Sequence, residues 1–174
     1  MVDRTDVRAA MTADAAAVES VAAAAWDHDY PAVLNRERPG EAARDWYDAE
    51  KLRRDIEDPA HVVRVAERGD RIVGFVHAFA AATDTEDRSE GSILRLYVHP
   101  DAREEGVGSR LLDATREALA ERGCDRVRAM VLAANEAGRA FYEACGFAET
   151  DETGTTVIDG EPYDEVVFVD ERRS

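Results

Sequence analysis

Lysine is nearly missing from this chain: Lys51 stands alone, and the rest of its 22 basic residues are arginines. Against them stand 38 acidic residues, for a net charge of −16. No basic stripe remains that could neutralise a phosphate backbone, which excludes nucleic acid as an expected partner. Cysteine is almost as scarce. Cys124 and Cys145 fit neither a disulfide framework nor a metal-ligand spacing, so two small buried thiols and no metal are expected. No apolar run approaches the length of a membrane span, and the first residues are too polar for a secretory signal. These absences point to a cytoplasmic protein with no membrane partner. The Gly-Lys-Ser/Thr ending of a nucleotide-phosphate loop is missing too, as is a G-x-G-x-x-G directly after a strand.

What is present is an ordinary hydrophobic fraction, 45% of 174 residues, enough for one domain over residues 1–174 with a sizeable core. No internal repeat or linker divides it. The acidic residues are spread along the chain rather than gathered in a tail. Such a lysine-poor acidic surface reads as adaptation to a high-salt, halophilic cytoplasm, where salt screens self-repulsion. The rival reading is an acidic surface that attracts cationic substrates.

One stretch organises the rest. Ile93 to Val98 carries the β-branched, aromatic and leucine residues of a strand, and Pro100 ends it. Arg103-Glu104-Glu105-Gly106-Val107-Gly108 is a short loop with two glycines. Apolar residues then recur at Val107, Leu111, Leu112, Thr115, Ala118 and Leu119, a helical period. A glycine loop at a helix N-terminus leaves backbone N–H groups pointing one way, with the positive end of the helix dipole behind them. That arrangement suits a phosphate or pyrophosphate. Taken alone, the loop reads first as a glycine-assisted strand–helix turn.

Around this stretch the pattern reads as follows. Asp6–Met11 is a strand, and Thr12 is placed to cap a helix running to about Trp26. Residues Asp27 to Gly40, including Tyr30, are irregular, and Glu41–Glu57 is a second helix with Trp46, Tyr47, Leu52 and Ile56 on one face. His61–Glu67 and Arg71–Ala80 form a hairpin about Arg68-Gly69-Asp70. On the second of these strands Phe75, His77 and Phe79 share one face, and Ile72, Gly74, Val76 and Ala78 the other. Ala81–Gly91 is a polar loop. After the organising helix come a strand over Asp125–Ala133, a helix over Asn135–Ala144 ending at Gly146, and a terminal hairpin, Phe147–Ile158 and Glu161–Val169, turning at Asp159-Gly160. The order β-α-α-β-β-β-α-β-α-β-β defines an α+β fold with a mixed sheet flanked by helices.

Residues 135–147 read Asn-Glu-Ala-Gly-Arg-Ala-Phe-Tyr-Glu-Ala-Cys-Gly-Phe. Arg-x-x-Gly-x-Gly after a Val-His-Pro strand end, joined to Asn-x6-Tyr and Cys-Gly-Phe, resembles the GNAT superfamily of acyl-CoA N-acyltransferases. The motif core spans residues 93–147, and the element order matches as well. The resemblance implies a GNAT-like single-domain fold and an acetyl-CoA-dependent N-acetyltransferase acting on an amine of a small molecule or protein. It also allows a non-catalytic acyl-CoA-binding or regulatory module of the same fold, and a homodimer.

Acyl transfer from a thioester needs a held cofactor, an oxyanion donor, a base for the amine and an acid for the thiolate. The resemblance assigns the phosphates to Arg103, Glu104, Glu105, Gly106, Val107, Gly108, Ser109 and Arg110, through backbone N–H groups. The two glutamates are expected to turn to solvent, and the two arginines either face the cofactor or are surface charge. Leu96, Tyr97 and Val98 would offer backbone groups to the pantetheine, with the Val98 N–H at the oxyanion. Asn135 would bond the pantetheine or phosphates. Tyr142, two helical turns on, would act as the acid, its phenol protonated at neutral pH; Phe141 is expected to pack inward. The base is where the match fails. One family group carries a Glu where Ser92 stands, another where Met130 stands, and the second absence argues against the branch that acetylates ribosomal-protein N-termini. Glu90, His77, Tyr163 and ordered water remain as substitutes.

Overall fold

The computed structural model describes residues 4–29, 48–80, 89–103, 105–158 and 161–171. Glu104, Tyr30, Trp46, Tyr47 and the Asp159-Gly160 turn lie outside the described residues, as do most of the expected irregular segment at 27–40 and of the polar loop at 81–91.

Seven strands form one sheet in the order β1-β2-β3-β4-β5-β7-β6. They are β1 Thr5–Ala9, β2 His61–Arg68, β3 Arg71–Ala80, β4 Ser89–Val98, β5 Cys124–Leu132, β6 Ala148–Ile158 and β7 Glu161–Glu171. Four helices flank it among the described residues: α1 Ala15–Asp29, α2 Ala49–Glu57, α3 Val107–Glu121 and α4 Glu136–Ala144. Only β4 and β5 pair in parallel, because the α3 crossover joins them; every other neighbour is antiparallel. The fold is thus the expected mixed α+β arrangement.

Each face of the sheet has its own core. α3 buries Val107, Leu111, Leu112, Thr115, Ala118 and Leu119, the stripe its sequence spacing announces, against Val62, Val76, Val127 and Phe168. Truncating one of its buried leucines to Ala should cost about 2–5 kcal/mol. On the opposite face Val18, Val21, Trp26 and Leu52 of α1 and α2 cover Val65, Ile72 and Phe75.

Local details depart from the sequence reading, each for a physical reason. Ile72 packs with Phe75, not with Val76, because a bulge at Val73 (Glu67 opposite Ile72, Ala66 opposite Gly74) reverses the alternation. Residues 89–91, expected in a loop, extend β4: they gain partners on β3 and β5, and Gly91 lies so close to Leu119 that a Cβ would approach it to 2.7 Å. Helix α2 begins at Ala49, where the Asp48 side chain accepts the Glu50 N–H at 3.0 Å. Asp14, not Thr12, caps the first helical turn: its Oδ2 accepts the Met11 N–H at 2.7 Å while Arg8 grips the carboxylate at 2.8 and 3.0 Å.

Candidate active site

The pairing of β4 with β5 runs from Ser89 opposite Cys124 to Ile93 opposite Ala129 and stops there. The next residue, Leu94, is a bulge against β3, where His77 faces Arg95 and Ala78 faces Ile93. A bulge bends its strand and increases the local twist. From Leu94 onward β4 therefore stays with β3, while β5 stays with β7 as far as Leu132 opposite Glu165. The two half-sheets part and leave a cleft of about 390 Å³ between them.

Leu96, Tyr97 and Val98 line one wall. The His99 N–H donates to Val73 at 2.7 Å, so by the alternation of an antiparallel pair the backbone groups of Val98 and Leu96 turn from β3 toward the cleft. Arg103 closes over this strand end, its guanidinium donating to the Val98 carbonyl at 3.2 Å. Arg103, Gly106, Val107, Gly108 and Ser109 carry the wall on to the N-terminus of α3. Gly106 is left-handed (φ 78°), and a Cβ there would meet nothing within 4 Å, so the loop is open above its backbone. Gly108 has the opposite constraint: a Cβ would come within 3.1 Å of the Phe141 ring.

Asn135, Phe141 and Tyr142 line the facing wall. Asn135 is the N-cap of α4, its Oδ1 accepting the Gly138 N–H at 3.0 Å. Its oxygen is therefore engaged in the helix rather than turned to a ligand. Tyr142 is 7% exposed, held edge-on by Phe147 and stacked on Phe168 at ring-centroid distances of 5.2 and 5.9 Å. Burial pushes its phenol above the ordinary tyrosine range. Of the neighbouring aromatics, Tyr142 is thus the one packed inward, and Phe141 is only partly buried.

Other sequence candidates lie elsewhere. Arg110 is outside the cleft, its guanidinium donating to the Thr5 carbonyl on β1. Glu105 turns from the loop to Arg68, 2.5 Å away. Glu90 sits where β4 and β5 are still paired and faces Arg126 and Arg128 at 3.5 and 3.9 Å. His77 is buried beside His61, and the Tyr163 hydroxyl donates to Glu161 at 3.3 Å. None of these last three lines the cleft.

Glu165 does. It stands opposite Leu132, and cross-strand partners point to the same side. Leu132 belongs to the α1-side core, as do Trp26 and Tyr97. Leu96, Val98, Val131, Phe141 and Tyr142 belong to the α3-side core. The split therefore joins the two faces: the glycine loop and Tyr142 on one, Glu165 with Trp26 and Tyr97 on the other. Burial raises the Glu165 carboxyl above its ordinary value, against a smaller opposing pull from Arg95, which also lines the cleft. Nothing in the sequence separates Glu165 from the other acidic residues; only the β5–β7 register does.

A split β4–β5 pair leading into a glycine loop at a helix N-terminus is the arrangement that the resemblance to the GNAT superfamily leads one to expect. The comparisons bear this out. Residues 22–147 match the acetyltransferase (GNAT) family, and the chain belongs to that family. An acetyltransferase of Pectobacterium atrosepticum is 30% identical over 124 residues, covering 71% of this chain and 84% of that protein. The PaiA N-acetyltransferase of Thermoplasma acidophilum, solved in complex with coenzyme A, superposes with a TM-score of 0.80 at 22% identity, over 97% of this chain and 99% of that one. The YncA protein of Salmonella typhimurium, solved with acetyl-CoA, gives a TM-score of 0.66 at 21% identity, over 96% and 93%. At those identities the two solved structures speak for the fold.

Proposed function

We propose that this protein is an N-acetyltransferase of one domain over residues 1–174 that moves an acetyl group from acetyl-CoA to an amine of a small molecule or protein. The observation that carries the reading is the parting of β4 from β5 after Ile93, beside an open glycine loop. The backbone N–H groups from Arg103 to Ser109 receive the pyrophosphate, with the α3 dipole behind them. The exposed backbone of Leu96 and Val98 receives the pantetheine, and the Val98 N–H steadies the developing oxyanion. Glu165 takes the proton of the acceptor ammonium. The freed nitrogen attacks the thioester carbonyl, the C–N bond forms, the nitrogen releases its second proton to water as the C–S bond breaks, and water restores any proton that Tyr142 gives up. Tyr142 gives its proton, or a hydrogen bond, to the departing thiolate.

The missing family glutamates favour the alternative, a non-catalytic acyl-CoA-binding module, and Glu165, a carboxylate that lines the cleft, weighs against it. Two measurements test the proposal. Acetyl-CoA at 100 times its Kd should stabilise the fold by about 2.7 kcal/mol, and Gly108→Asp should remove that gain. Thiol release across an amine panel should then give turnover. Stabilisation without turnover on any amine would leave the binding module. We assign the acidic surface to salt adaptation of a cytoplasmic protein; among the described residues no helix is long and apolar enough to cross a membrane.

A further inference from the structure

On the α1 side of the sheet, away from the cleft lining, two of the chain's four histidines meet a carboxylate. His61 opens β2 opposite Phe79, and His77 lies opposite Val63 on β3, which makes the two histidines diagonal neighbours on one face. His61 Nδ1 and His77 Nε2 are 2.8 Å apart. Asp55, from the last turns of α2, places Oδ1 3.9 Å from His61 Nε2 and Oδ2 4.0 Å from His77 Nε2. The His77 side chain is 9% exposed and the other two 17% and 24%. The helix and strand that supply two of these residues are joined by a short turn at 58–60. Asp58 holds that turn, accepting the Ala60 N–H at 2.9 Å and the His61 N–H at 3.0 Å.

This arrangement is poorly explained as a hydrogen-bond network. Among the described residues its one hydrogen bond joins two imidazoles, and the Asp55 carboxylate, at 3.9 Å from His61 Nε2 and 4.0 Å from His77 Nε2, stands beyond bonding distance of both. It is well explained as a ligand set. Metal bonds of about 2.0–2.2 Å place neighbouring donor atoms roughly 3–3.4 Å apart, so a small opening of the histidine pair and a small closure of Asp55 would meet around one ion. Among the described residues no other group of three His, Cys, Asp or Glu brings ligand atoms within 4.8 Å of one another.

We propose that Asp55, His61 and His77 bind one divalent first-row transition ion, Zn2+ being the natural occupant of two imidazoles and a carboxylate, and that the ion pins α2 to the sheet. Two nitrogens and one oxygen form a borderline donor set that selects such an ion over Mg2+ or Ca2+. Three protein ligands leave at least one position for water. The site is separate from the glycine loop and does not depend on the acetyl-transfer reading.

The test uses the full chain stripped by chelator, in millimolar Mg2+ to occupy surface carboxylates. Zn2+ titration by calorimetry should give one ion per chain, and Co2+ should give visible absorption of a nitrogen-containing site. Asp55→Asn and His77→Gln should each weaken binding at least tenfold and remove the rise in melting temperature that Zn2+ produces. His77 is buried and its replacement can unfold the chain, so Asp55→Asn, on the helix, carries the comparison by itself. No saturable Zn2+ binding by the parent protein would overturn the proposal, as would binding that Asp55→Asn leaves unchanged.

Discussion

The proposed chemistry assigns its proton transfers to two side chains, Tyr142 and Glu165, that line the split from opposite sides of the sheet. Tyr142→Phe keeps the ring and its contacts with Phe147 and Phe168 and removes only the hydroxyl. Positioned acid catalysis contributes roughly 10²–10⁴-fold, and a thiolate already leaves readily, so kcat should fall about 100-fold with the acetyl-CoA Kd unchanged. An unaltered kcat, with chemistry shown to be rate-limiting, removes Tyr142 from the mechanism. Glu165 is expected to set the acid limb of the pH–kcat/KM profile. Burial raises its pKa, so it becomes an active base only above the ordinary carboxylate range. Glu165→Gln should abolish that limb and lower kcat/KM by 10²-fold or more, roughly the worth of a positioned base. The sign for stability is the reverse. A raised folded-state pKa favours folding below the unfolded value, and that contribution is lost as pH rises through the raised one. Glu165→Gln should therefore be no less stable than the parent at neutral pH by thermal melting, which separates a catalytic loss from an unfolding one.

At the scale of elements, the first turn of α1 is anchored by one carboxylate with three partners: both terminal nitrogens of Arg8 and the Met11 N–H. The Arg8 hydrogen bonds are the chief cause of the lowered Asp14 pKa, opposed in part by burial. A lowered folded-state pKa contributes stability above the unfolded value, near 3.9, and that stability disappears as pH falls through the folded value. Asp14→Asn should cost about 1–2 kcal/mol at neutral pH in urea melts, the range of a lost cap and charge-assisted bonds. It should also flatten the acid side of the stability curve below the ordinary carboxylate pKa; an unchanged acid slope would locate the acid sensitivity elsewhere. This anchor was only half legible beforehand. A capping residue before the alanine-rich helix is evident, and Thr12 is the first one placed for it. Asp14 prevails because Arg8, on β1, reaches it, a contact between elements that helix preference does not contain. The bulge at Leu94 is of the same kind: nothing in Ile93-Leu94-Arg95 marks an extra residue, yet it opens the cleft.

At the scale of the whole molecule, a net charge of −16 makes the fold work against its own repulsion at low salt. The screening length shrinks from about 10 Å at 0.1 M to about 3 Å at 1 M. The melting temperature should accordingly rise between low and molar KCl. A flat response would assign the acidic surface to the attraction of cationic amines, and kcat/KM for such amines would then fall with salt.

The repeating features were decided by local chemistry and so were readable from the residues alone. They comprise the order of elements, the buried stripe of α3, the hairpin at Gly69, the glycine loop and the placing of Asn135 and Tyr142 on one helix. Each depends on periodicity or on a backbone conformation that one residue type favours. The tertiary structure decided what depends on register between distant strands: where β4 leaves β5, that Glu90 is shut in the paired half, that Arg110 turns to β1, and that Glu165 enters the cleft. Asp55 meets His61 and His77 because α2 docks over the β2–β3 hairpin, a contact between elements that no local pattern contains. Register follows from packing both faces of the sheet at once, and one bulge reverses every side chain beyond it, so these residues acquire their roles only when the whole sheet has closed.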